Sequence, residues 1–147
     1  MVAPSSVEAV QFAGGWLFDR VMAGWDATVV TPDCADTRPL RILGSASADL
    51  EAALGTPIDG PVQAVAIDAR LYGSDDRVRR LVREALDEGS TEVMLWGEAG
   101  PGQPAYPGGS VCHRLSVAAL AFKAQALAAA RAPAGAVGGS ENFRARA

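Results

Sequence analysis

Chemistry in this chain has few places to start. Its 147 residues include one histidine and two cysteines, set among 17 acidic and 13 basic side chains. The histidine follows a cysteine directly, as Cys112-His113, which invites a nucleophile-and-base reading. Placed at the start of a helix, such neighbours point about 100° apart and do not face each other. A structural cysteine beside a helix-start histidine is the expectation instead. Cys34 is remote from Cys112, so no disulfide framework is implied. Asp33, Cys34 and Asp36 lack further ligands at zinc spacing, and no metal is expected. Gly100-Pro-Gly102-Gln-Pro-Ala105 matches a dinucleotide-binding pattern in form only. Pro104 and Pro107 fall where the phosphate-binding helix would have to run, at about 3 kcal/mol each. No Gly-Lys-Ser/Thr and no Gly-x-Ser-x-Gly occurs, so no cofactor and no familiar hydrolase elbow are expected.

What remains is a set of polar residues at strand ends. Asp68 and Arg70 follow one apolar run, and Trp96 and Glu98 end another. The next loop carries Gly108, Gly109, Ser110, Cys112, His113 and Arg114 toward a predicted helix start. In open α/β sheets, ligands sit outside the carboxyl ends of parallel strands, and amide groups at a helix start hold anions. Asp68, Arg70, Trp96, Glu98, Ser110, His113 and Arg114 are therefore the candidate binding set. Against it stands the plainer reading that these are solvated or capping groups, since every α/β domain has polar strand ends. Arg77, Arg79, Arg80 and Arg83 make a basic helix, but Asp76–Arg80 and Arg83–Asp87 are i,i+4 pairs that would neutralise it.

The elements that must position these residues follow from periodicity. A helix is predicted from about residue 7 to 24, with Val10, Ala13, Leu17 and Val21 on one face and Gly14-Gly15 weakening its middle. Strands are predicted at 27–31, 40–43, 62–71 and 91–96, with helices at 47–54, 74–88 and 111–132. Ser47 and Ser74 serve as caps, and Gly55 and Gly89 as stops. The order predicts an α/β domain over residues 1–132, with helices flanking a four-stranded, mostly parallel sheet. The 31–40 link is too short for a parallel crossover, so strand one is expected to be antiparallel to strand two or separated from it. Strand one antiparallel would put Cys34 at the rim opposite Cys112. Residues 133–147, rich in Gly, Ala and Ser, read as a flexible tail.

The 111–132 helix shows two apolar stripes where a surface helix shows one. Leu120 and Leu127 lie on one, Leu115 and Phe122 on the other. With no strong catalytic motif, the pattern predicts a non-catalytic interaction or regulatory module, with a protein partner or a second copy covering that helix. The alternative is a small enzyme or anion-binding domain that uses the strand ends. A net charge of −4 argues against a general nucleic-acid binder, which needs a basic stripe. All basic residues but Lys123 are arginine in an alanine-rich chain, the composition of a GC-rich bacterium. No secretory signal and no apolar run of membrane length is present, so a cytoplasmic location is expected.

Overall fold

A computed structural model describes residues 1–103, 105–133 and 137–146. Twelve elements follow in the order α1 (Ser6–Met22), β1 (Thr28–Thr31), α2 (Arg38–Ile42), β2 (Ala46–Asp49), α3 (Leu50–Leu54), β3 (Ala64–Asp68), α4 (Ala69–Ser74), α5 (Asp76–Glu88), β4 (Glu92–Trp96), β5 (Gly109–Arg114), α6 (Val117–Ala129) and β6 (Ser140–Arg146). The class is the predicted one, α/β with helices flanking a four-stranded sheet.

That sheet has the order β3-β4-β6-β5. β3 and β4 are parallel, whereas β6 is antiparallel to both β4 and β5. β1 and β2 form a separate parallel pair. A single residue, Val2, joins the two sheets by bridging Val30 and Ile67, both in the parallel sense. Its N–H donates to Ala66 O at 2.8 Å, and its carbonyl accepts Asp68 N–H at 3.0 Å. β1 is thus separated from the four-stranded sheet and runs parallel to it. Cys34, just past the carboxyl end of β1, therefore does not lie at an opposite rim; both cysteines are free and exposed.

Several sequence expectations change here. Residues 40–43 are not a strand: Pro39 sits in the first turn of α2, where its missing N–H does no harm, and Leu40 and Leu43 point into the core. The predicted helix at 47–54 splits into β2 and the five-residue α3, capped by Asp49 rather than Ser47. α5 is capped by Asp75, and Gly89 stops it at a φ of 71°, a left-handed conformation that favours glycine. Arg77 pairs with Asp75 and Glu51, and Arg79 with Asp76, in place of the predicted i,i+4 pairs.

The largest corrections lie at the end of the chain. The predicted 111–132 helix begins only at Val117, and Gly109–Arg114 is strand β5. The looseness expected past Pro133 does not hold for Ser140–Arg146, which pairs on both sides as β6. Residues 134–136 and 147 of that expected tail lie outside the described residues. The alternation Glu141 and Phe143 buried against Asn142 and Arg144 exposed is an ordinary strand pattern. α6 packs against both α1 and α2, which bury Ala119 and Ala126, while Val117 and Phe122 remain exposed. Leu115 is not on the helix but buried beside Gly15; Leu120 and Leu127 are partly buried against the core, and Phe122 stacks on Phe18 at 4.6 Å.

Gly15 and Gln11 mark the middle of α1. The Gly15 and Trp16 N–H groups donate to the two carboxylate oxygens of Glu141, at 2.7 and 2.8 Å. The Lys123 ammonium donates to Gln11 O at 2.7 Å and to Glu141 at 2.8 Å. Both ion-pair side chains are buried. β6, α6 and α1 are thus joined by one satisfied polar knot, as burial of charge requires.

Candidate functional site

β3 ends where its last residue becomes the cap of the next helix. The Asp68 carboxylate accepts the Arg70 N–H at 2.8 Å and takes the Arg70 guanidinium in a fork, from Nε at 3.1 Å and Nη2 at 2.9 Å. Nη2 also reaches Glu8 at 2.6 Å. Glu8 stands in the first turn of α1, whose cap Ser5 accepts the Glu8 N–H and donates its hydroxyl to the Glu8 carboxylate. This is a Ser-x-x-Glu cap arrangement. Asp68 is buried, while half of the Arg70 side chain meets solvent. The two carboxylates, Asp68 first, hold the Arg70 guanidinium pKa above its ordinary value, so it is a permanent cation.

Trp96 lies opposite Asp68 in the β3–β4 register and is buried, its indole N–H without a partner among the described residues. Glu98 is exposed in the loop that follows. The loop closes on α4. Gly73 leaves room for the Gln103 side chain, which accepts the Gly100 N–H at 2.8 Å, and Tyr106 packs edge-on against Tyr72. Burial raises the Tyr106 hydroxyl pKa.

The histidine end of the candidate set is elsewhere. His113 Nε2 is 2.8 Å from Asp19 Oδ2. Ser116 donates to the same carboxylate through its hydroxyl at 2.5 Å and its N–H at 3.2 Å, and caps α6 by accepting the Ala119 N–H. Burial pushes the Asp19 pKa up, but hydrogen bonds from Ser116 and His113 outweigh it and leave the carboxyl below its usual range. Cys112 and His113 are successive residues of β5, so they point to opposite faces and form no dyad. Ser110 and Arg114 are exposed on the same strand, not at a helix start as the sequence suggested. Glu8 and Asp19 are eleven positions apart on α1, about 16 Å along its axis. The candidate set therefore divides into Asp68, Arg70, Trp96 and Glu98 at the carboxyl ends of β3 and β4, and a second group around His113.

Among the described residues, no three His, Cys, Asp or Glu side chains gather closely enough to hold a metal ion. Sequence reasoning missed Glu8, Asp19 and Ser116. Glu8 had a signal in its spacing from Ser5; Asp19 had none, since only the fold brings it to His113.

An α/β layer with polar residues at parallel strand ends is an architecture that binds small molecules at that rim. No protein-family model matches the chain, and no curated protein matches it in sequence. Among solved structures, the fold is that of a deacetylase triple mutant of the teicoplanin biosynthetic pathway, at 14% identity and a TM-score of 0.60, covering 99% of this chain and 96% of that one. A deacetylase–teicoplanin complex aligns at 13% identity and a TM-score of 0.58, over 98% and 96%. The expectation of a non-catalytic interaction or regulatory module is corrected by this likeness. It rested on missing motifs, and the same architecture, end to end, belongs to enzymes whose sequences share almost nothing with this one.

Proposed function

We propose that this protein binds a small, polar, acylated molecule at the carboxyl ends of β3 and β4 and hydrolyses its acyl group. The observation that carries the reading is the likeness to deacetylases over nearly the full length of both chains. The rim supplies matching chemistry. Arg70 Nη1 makes no hydrogen bond among the described residues, and the exposed guanidinium stands where an acyl oxygen gaining charge could be met. Glu8 is the carboxylate beside it that can take a proton from an attacking water. The water oxygen bonds to the acyl carbon, the bond to the amine or alcohol breaks, and that leaving group departs with a proton. Asp68 acts through Arg70, as a positioning residue.

No described helix is long and apolar enough to cross a membrane. The two free cysteines fit work in the reducing cytoplasm. The test is acetate release from a panel of acetylated sugars, amines and alcohols by the purified protein. Release that falls at least 100-fold in Arg70→Ala and Glu8→Gln, with folding intact by circular dichroism, supports the reading. Release that is absent, or unchanged in both variants, overturns it.

A further inference from the structure

A cleft of about 870 Å³ opens on the other face of the sheet, away from α1, and no step of the proposed hydrolysis uses it. Its floor is Val2, Val30 and Val65, and its sides include Leu54 and Leu81. The cause is local. α3 runs for five residues and gives way to Gly55-Thr-Pro-Ile-Asp-Gly60-Pro61, so no further helical turn descends to fill the space beside α5. Ile58 on that connection is more than half exposed. Volume and lining fall in the range of small-molecule sites, about 300–1,000 Å³ and mostly apolar.

Charge says what sort of molecule fits. The Arg77 guanidinium on the lining is already spent on Glu51 and Asp75. Asp26, Glu84 and Glu88 also line the cleft, and none has an ion-pair partner among the described residues; Arg80 is the one unpaired guanidinium there. The Met1 amino group also lines the cleft, but burial lowers its pKa to about 6, so at neutral pH three carboxylates against one guanidinium leave an excess of about two negative charges. Glu88 ends α5, so the negative end of that helix dipole adds to them.

We infer that this cleft binds a small organic amine, its apolar body on the valine floor and its ammonium against Glu84 and Glu88, which are i,i+4 neighbours on α5. The probes are 2-phenylethylamine and 3-phenylpropionate, similar in shape and opposite in charge, titrated into the full chain by calorimetry and by NMR. The amine is expected to bind saturably, at least fivefold more weakly in Glu84→Gln/Glu88→Gln, and more weakly as salt rises. Leu81→Arg, which projects a cation into the cleft, is expected to abolish binding; Arg70→Ala, at the other rim, should leave it unchanged. Equal or tighter binding of the carboxylate, or no binding of the amine to protein shown to be folded, overturns the inference.

Discussion

At the scale of single residues, the apolar core of this molecule encloses one specific polar cluster. Glu141 reaches two amide groups in the middle of α1 while Lys123 neutralises it. Removing one partner of such a buried pair leaves an uncompensated charge and costs about 3–5 kcal/mol. Lys123→Met should therefore lower the urea midpoint far more than replacement of any exposed charge, such as Arg83→Gln. An unchanged midpoint would show that the pair is not buried in solution. Asp19 gives a pH signature. Its folded pKa is lowered, so its stabilisation is fully present above the unfolded value of about 3.9 and is lost as pH falls through the folded value. Asp19→Asn should lower stability at neutral pH and flatten the acid limb, with the two curves converging near pH 2. Ser116→Ala, which removes both a cap and a donor to Asp19, should cost about 1 kcal/mol or more by the same measurement.

At the scale of elements, close approach decides more than propensity. A Cβ on Gly15 would stand 2.2 Å from Leu115 Cδ2 and 2.3 Å from its Cγ, so the whole isobutyl group would have to move. Gly15→Ala should destabilise by about 1–3 kcal/mol despite better helix propensity. Pairing it with Leu115→Ala should cost less than the sum of the two, read as coupling in a double-mutant cycle. The sequence carried α1, β1, β3, α5 and β4 plainly, because each has a run with one period and an end signal. It hid what depends on partners. Leu40-Arg-Ile-Leu43 has strand-like residues, but Pro39 starts a helical turn that buries Leu40 and Leu43. Gly109–Arg114 leads into an alanine-rich helix with no glycine or proline between them to mark the boundary, and Ser116 is the true cap. The position of Asp68, Arg70, Trp96 and Glu98 at or just past the ends of β3 and β4 was legible, because each apolar run ends in a polar signal. The part played by Glu8 and Asp19 was not, because they come from a helix whose path over the sheet no local pattern records.

At the scale of the whole molecule, two narrow joints hold the sheet system together. Val2 ties the β1–β2 pair to β3 through one residue, and β6 ties β5 to β4. A chain stopped after Gly139 loses both ladders of β6 along with Glu141 and Phe143. It should give no cooperative thermal transition by circular dichroism, whereas a native-like melt would show that β6 is an appendage.

The position of β6 also bears on how the protein is made. β4 and β5 are synthesised before β6, with all of α6 in between; β4 can pair with β3 on one side, but its other edge and the inner edge of β5 have no partner until β6 slots in. On the ribosome, two open strand edges therefore wait for a segment still inside the exit tunnel, and such edges are templates for pairing with other chains. Slowing translation between α6 and β6 should increase aggregation of the nascent protein, while the same pause placed between α1 and β1, before any strand edge is exposed, should not.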